Sequence, residues 1–182
     1  MNLLFSFMEN KILFLHGLNS KPWQDRVDIL ESAGVKVFAP HIIYGQQDEV
    51  TIARGIIEKE RITHLVGHSL GGILCYYLSN LYNIPTLMFN PAFCFSNKHY
   101  FENFRGLSSL ESFEKQYALD LLKKQFAVVG MCDDVVLPAA QISGLSGATI
   151  YKIPDLGHKI SPDIFKKYFD IFTKEANINA TI

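Results

Sequence analysis

The chain has 182 residues, of which 48% are hydrophobic and 13% aromatic, and a formal net charge of −1. That length fits one domain and that apolar content supports a sizeable core, which argues against disorder. The near-zero charge provides no basic field for nucleic acid or an anionic membrane surface. The three cysteines, Cys75, Cys94 and Cys132, are widely spaced with no C-x-x-C pair, so a disulfide framework or zinc site is not expected and a reducing cytoplasm is.

Met1 to Met8 are apolar but have no basic lead-in, and the run is too short for a membrane span. Met8 is itself a candidate start, with the first seven residues an extension. Ile12-Leu-Phe-Leu15 is a continuous apolar run that stops at His16-Gly17, the pattern of a buried strand and a turn. Ser20 to Pro22 read as the opening of a helix, with Ser20 as cap, Pro22 in the first turn and Trp23, Val27, Ile29 and Leu30 behind. Gly34 ends it, and Val35 to Ala39 form the next strand, closed by Pro40. Asp48 to Lys59 carry Val50, Ile52, Ala53, Ile56 and Ile57 at helical spacing.

Thr63 to Val66 form a strand that runs into Gly67-His68-Ser69-Leu70-Gly71-Gly72, and Leu70 to Tyr82 are then almost entirely apolar or aromatic. The order is strand, tight turn, and a helix buried on most of its surface. Pro85 to Phe89 make a further strand ending in Asn90-Pro91. From Ala92 to Ser112 the periodicity breaks, and Phe93, Phe95, Tyr100, Phe101 and Phe104 alternate with polar residues, a cap-like excursion from the sheet. Glu114 to Lys124 are helical, Phe126 to Val129 a strand ending at Gly130, Pro138 to Ser143 a short helix and Thr149 to Ile153 a strand. A last amphipathic helix runs from Ser161-Pro162 to Lys174 with Ile164, Phe165, Tyr168, Phe169 and Phe172 inward. Strands apolar on both faces that alternate with helices define a single α/β domain, a three-layer sandwich with a mostly parallel sheet between helices. In such sheets the site lies beyond the strands' carboxyl ends, where the loops with His16-Gly17, Ser69, Asp133 and His158 all emerge.

A serine hydroxyl is a weak nucleophile at neutral pH and needs a base, and that base needs an orienting carboxylate. Gly-x-Ser-x-Gly between strand and helix presents such a serine, with the acid and then the histidine later in the chain. Ser69, Asp133 and His158 fall in that order, each just beyond a strand. Gly67 and Gly71 are required because a side chain at either would collide across the turn. Asp133 ranks ahead of Asp134 as the first carboxylate past the strand, with Val135 and Val136 turning back to the core, and Asp155 sits too close to His158 in the same loop. Among the histidines, His68 is expected to point away from Ser69, His16 to be packed and hydrogen-bonded, and His64 to begin a strand on the wrong edge of the sheet. The backbone N–H groups of Leu70 and Leu18 are the expected oxyanion donors. No H-E-x-x-H, P-loop or G-x-G-x-x-G motif is present, so no metal or cofactor is expected.

These residues carry a resemblance. Leu15-His16-Gly17-Leu18-Asn19-Ser20, Gly67 to Gly72, Phe89-Asn90-Pro91-Ala92, Asp133-Asp134-Val135 and Gly157-His158 together resemble the α/β-hydrolases, and within them the bacterial YqiA-like small esterases. The likeness runs from Lys11 to Phe172, with His68 in place of a small residue and Cys132 in place of the glycine before the acid. It implies metal-free, cofactor-free hydrolysis of a small carboxylic ester, with thioesters within reach, through Ser69, Asp133 and His158. A second class of reading is a hydrolase-fold binding protein without catalysis, since a fold hosts sites but does not specify them.

Overall fold

Six apolar segments pair into one sheet: β1 (Lys11–Leu15), β2 (Lys36–Phe38), β3 (His64–His68), β4 (Thr86–Phe89), β5 (Gln125–Gly130) and β6 (Thr149–Ile153). The structure is a computed structural model and describes residues 9–93, 124–145 and 147–178. Every pairing is parallel and the strand order is β2-β1-β3-β4-β5-β6. Parallel neighbours need crossovers, and the described residues supply helices α1 (Gln24–Glu31), α2 (Glu49–Glu60), α3 (Leu70–Tyr82), α4 (Pro138–Gly144) and α5 (Pro162–Glu175).

The chain leaves β1 outward to β2, then doubles back past β1 to β3 and continues in one direction to β6. Right-handed crossovers that travel in opposite directions deposit their helices on opposite faces. The two cores follow from this. Leu13 and Leu15 of β1 pack on one face with α2, α3 and Leu145, whereas Ile12 and Phe14 face the other way onto Leu30 of α1 and Phe165, Phe169 and Phe172 of α5. The reversal between β1 and β3 opens a crevice at their carboxyl ends, the place where open α/β sheets bind ligands.

Helix α3 begins at Leu70 and ends at Tyr82 as the sequence indicates, and most of its residues are buried. α5 is capped by Ser161, whose Oγ accepts the Ile164 N–H at 3.3 Å, with Pro162 in its first turn. α1 departs from expectation. It starts at Gln24 with Trp23 at the cap position, and the Ser20 hydroxyl donates to the Lys21 carbonyl instead of capping. β3 also runs two residues past Val66, up to His68, pairing with β4 to the edge of the turn.

Most of the excursion expected over 92–112, and the helix expected over 114–124, lie outside the described residues. Of their ends, Phe93 is fully buried, with its ring edge-on to Tyr76 at 5.2 Å, and Lys124 is non-helical and donates to the Glu175 carbonyl at 2.7 Å. No helix among the described residues is long and apolar enough to cross a membrane.

Candidate active site

The turn after β3 is held from three sides. The Ser69 N–H donates to the Phe89 carbonyl at the end of β4 at 2.9 Å, while the Ser69 carbonyl accepts from Gly72, Ile73 and Ala92. These bonds fix Ser69 at φ 54° and ψ −118°, a conformation that non-glycine residues avoid and that persists only where surrounding contacts enforce it. The glycines on either side make the turn sterically feasible. A Cβ on Gly67 would run into the Gly71 carbonyl across the turn, as anticipated. A Cβ on Gly71 would instead strike the carbonyls of Leu15 and His16, so that glycine lets α3 approach the end of β1.

The three residues drawn from the sequence meet beyond the sheet edge. His158 Nε2 lies 3.1 Å from Ser69 Oγ, and His158 Nδ1 lies 2.9 Å from Asp133 Oδ2. A carboxylate facing Nδ1 fixes the proton there and leaves Nε2 free to accept from the serine hydroxyl. The Asp133 side chain is 0% exposed and that of His158 16%, so the acid is sealed while the base keeps an opening to the outside. Asp134 and Asp155 are both exposed.

Burying Asp133 would by itself raise its carboxyl, but the His158 hydrogen bond and the N–H groups of Val136 and Val135 outweigh that, and its pKa falls below the ordinary carboxylate value. The two N–H groups reach Oδ1 at 2.8 and 2.9 Å. Val136 is buried, but Val135 is 63% exposed, so only one of the two valines expected to return to the core does so. A fourth donor escaped the sequence reading. Gln141 of α4, fully buried, gives Nε2–H to Asp133 Oδ2 at 2.9 Å and to the Val136 carbonyl at 2.8 Å.

Leu70 is the first residue of α3, so its N–H has no intrahelical partner and points out of the helix start. Leu18 follows Gly17, where an added Cβ would stand 3.1 Å from the Ser69 Cβ, and the loop after β1 therefore lies against the serine. The same loop borders a cavity of about 510 Å³ that Lys21, His41 and Tyr44 also line.

His16 is the packed histidine expected. Its Nε2 accepts the Ile42 N–H at 3.0 Å, its Nδ1 therefore carries the proton to the Gly17 carbonyl at 2.8 Å, and burial lowers its pKa. Tyr44 donates to the His16 carbonyl at 2.7 Å, tying the 41–46 loop to the end of β1. His64 sits at the amino end of β3, far along the strand from Ser69. The His68 ring packs 5.0 Å from that of His158. Cys75 is fully buried and burial pushes its thiol up, far from a thiolate nucleophile. No group of three metal-ligating side chains occurs among the described residues.

An open parallel sheet with a strained serine turn at its switch point is the α/β-hydrolase fold. Within it the chain belongs to the uncharacterised protein family UPF0227, whose profile matches residues 11–125. The match includes Ser69 and Asn90 and ends before Asp133 and His158. No curated protein matches the sequence. Among solved structures, the monoacylglycerol lipase of Paleococcus ferrophilus superposes with a TM-score of 0.68 at 16% identity, covering 91% of this chain and 93% of that one. Est1E from Butyrivibrio proteoclasticus, solved with ferulic acid, gives 0.71 at 12% identity, with 93% and 90% covered. SOBER1 of Arabidopsis thaliana gives 0.63 at 18% identity, with 93% and 99% covered. At these identities the likeness is one of fold.

Proposed function

We propose that the protein is a serine hydrolase that cleaves small carboxylic esters, with a short or medium acyl group, and thioesters of the same acids, through an acyl-enzyme on Ser69. The carrying observation is the single imidazole within hydrogen-bond reach of both Ser69 Oγ and the buried Asp133 carboxylate. Solved structures of the same fold that bear the names lipase and esterase support the reaction class.

As Ser69 Oγ attacks the ester carbonyl, its proton passes to His158 Nε2, and the imidazolium so formed is stabilised by Asp133 through Nδ1–H. The carbonyl oxygen becomes an oxyanion that the N–H groups of Leu70 and Leu18 receive; removal of one such donor typically costs about 3 kcal/mol of barrier lowering. Collapse of the intermediate breaks the bond to the alcohol or thiol, which takes the proton from Nε2. Water then attacks the acyl-enzyme with the same base, releasing the acid and restoring the serine. No step calls for a metal or cofactor. The absence of a paired-cysteine pattern supports a cytoplasmic setting.

Incubation with a fluorophosphonate probe tests the reading. Wild type is expected to be labelled at one residue, and Ser69→Ala to lose both labelling and hydrolysis of p-nitrophenyl butyrate, by more than roughly 10³-fold. Equal hydrolysis by Ser69→Ala, or an unlabelled and inactive wild type, would overturn it; the second result favours a binding protein on a hydrolase fold.

A further inference from the structure

Two buried side chains outside the proton path end on the same backbone atom. The His158 carbonyl accepts Nε2–H of His68 at 3.0 Å and Nδ2–H of Asn90 at 3.0 Å. Asn90 also donates to the Gly157 carbonyl at 2.9 Å, and its Oδ1 accepts the Gly130 N–H at 2.7 Å. Asn90 is 0% exposed and His68 5%. They project from the ends of adjacent strands, β3 and β4, and Asn90 holds a left-handed φ of 42° there.

His68 is chemically suited to this contact. Burial brings its pKa down to about 4, so it is neutral and carries one N–H. The acceptor at Nε2 fixes that proton there and leaves Nδ1 bare, buried and without a hydrogen bond. The ring is also clamped, 4.9 Å from Trp23 and 5.0 Å from His158. A third buried group, Arg26, donates to the Ile160 carbonyl further along the same loop. The segment from Gly157 to Ile160 is thereby tied to β3, β4 and α1.

We propose that His68 and Asn90 are positioning residues that hold the main chain of His158 so that its ring spans Ser69 and Asp133. The inference rests on the roles given above to those three residues. Two hydrogen bonds at the ring edges set where the imidazole must point, but the loop that carries it leaves β6 several residues earlier and follows a glycine. Donors converging on the His158 carbonyl fix its peptide plane and hence the origin of the side chain. Loss of either lets that plane tilt, and a displacement of about 1 Å at the reacting groups costs roughly 100-fold in rate.

The test compares Asn90→Asp, His68→Phe and His68→Gln with wild type and Ser69→Ala. Asn90→Asp sets a carboxylate oxygen against two carbonyl oxygens; His68→Phe keeps the ring packing without the donor; His68→Gln restores a donor near the Nε2 position. Fluorophosphonate labelling rate, kcat and KM on p-nitrophenyl butyrate and thermal midpoint are read together, each rate per titratable site. Asn90→Asp and His68→Phe are expected to lower labelling rate and kcat by roughly 10–100-fold with KM little changed, and His68→Gln to recover most of that loss. If the altered proteins melt earlier but label and turn over at the wild-type rate per site, while Ser69→Ala stays dead, the two residues are merely structural and the inference falls alone. A His68→Gln variant as slow as His68→Phe overturns the donor role of His68. Should Asn90→Asp fail to fold, the His68 pair decides. An unlabelled wild type, or an active Ser69→Ala, removes the reading of the site and this inference with it.

Discussion

The Asp133 carboxylate has no solvent contact, yet it receives two main-chain N–H groups, an amide and an imidazole N–H, enough to keep it charged. Asp133→Asn keeps the shape but replaces an acceptor with a donor, which favours the wrong His158 tautomer. On the proposed reading, kcat/KM for p-nitrophenyl butyrate should fall roughly 10³–10⁴-fold with the fold intact by circular dichroism. Gln141→Leu should leave the carboxylate short of one donor and lower stability by about 1–3 kcal/mol, measured by urea titration. Ser69, Asp133 and His158 were legible because order along the chain and position after a strand are sequence properties. Asn90 was visible only as part of Asn-Pro-Ala, and Gln141 not at all. A neutral amide has no characteristic spacing, and its partners come from elements 40 and 8 residues away. The contact of His68 with the His158 carbonyl has no signal in the sequence, because Trp23 and the His158 loop that hold the ring come from elsewhere in the chain.

At the scale of elements, the same logic separates what periodicity reveals from what packing decides. α3, α4, α5 and β6 were readable to within a residue or so because their apolar spacing and flanking proline or glycine act locally. α1 was not, since its start is pulled back by Trp23, which lies against His68 and receives the Arg26 guanidinium at 5.2 Å from its ring. The approach of α3 to β1 is close, as a Cβ on Gly71 meets main-chain oxygens that cannot rotate away. Gly71→Ala is expected to yield little soluble protein or a steep loss of urea midpoint, whereas Gly55→Ala, which has open space around its Cβ, should be neutral or slightly stabilising by up to ~1 kcal/mol. On the opposite face, Phe165 stacks on Phe89 at 4.8 Å and Phe172 meets Phe126 at 5.6 Å, with Phe169 fully buried beside them. Phe169→Ala should therefore cost about 3–5 kcal/mol, read as a fall in thermal and urea midpoints.

For the whole molecule, burial of neutral histidines sets the response to acid. His64 and His68 both have their pKa lowered to about 4, and in each the largest cause is burial. His64 is additionally disfavoured as a cation by Lys124, while the Ala176 carbonyl pulls the other way; at His68 the His158 carbonyl and Asp133 favour the cation, and the neighbouring His158 ring and Arg26 disfavour it. In the unfolded chain both would titrate near 6.5. Between these values the unfolded state binds a proton that the folded state refuses, so stability is complete above the unfolded value and lost as pH falls towards 4. From pH 7 to pH 5 each histidine should remove about 2 kcal/mol. Asp133 acts only lower down: its depressed carboxyl contributes above the ordinary carboxylate pKa and loses that contribution as pH drops through the folded value. The acid loss near pH 5 thus belongs to the buried histidines, with His16, whose pKa burial also lowers, contributing beside His64 and His68. His64→Gln separates them, because His64 lies at the amino end of β3 with its ring edge-on to Phe172 at 5.9 Å, outside the candidate site. The stability lost between pH 7 and pH 5, read by urea titration, should be smaller by about 2 kcal/mol in His64→Gln than in wild type, and on the proposed reading hydrolysis of p-nitrophenyl butyrate at pH 7 should be unchanged. An undiminished loss would mean that His64 is solvated enough in the fold to take its proton, and the assignment of the acid response to its burial would fail.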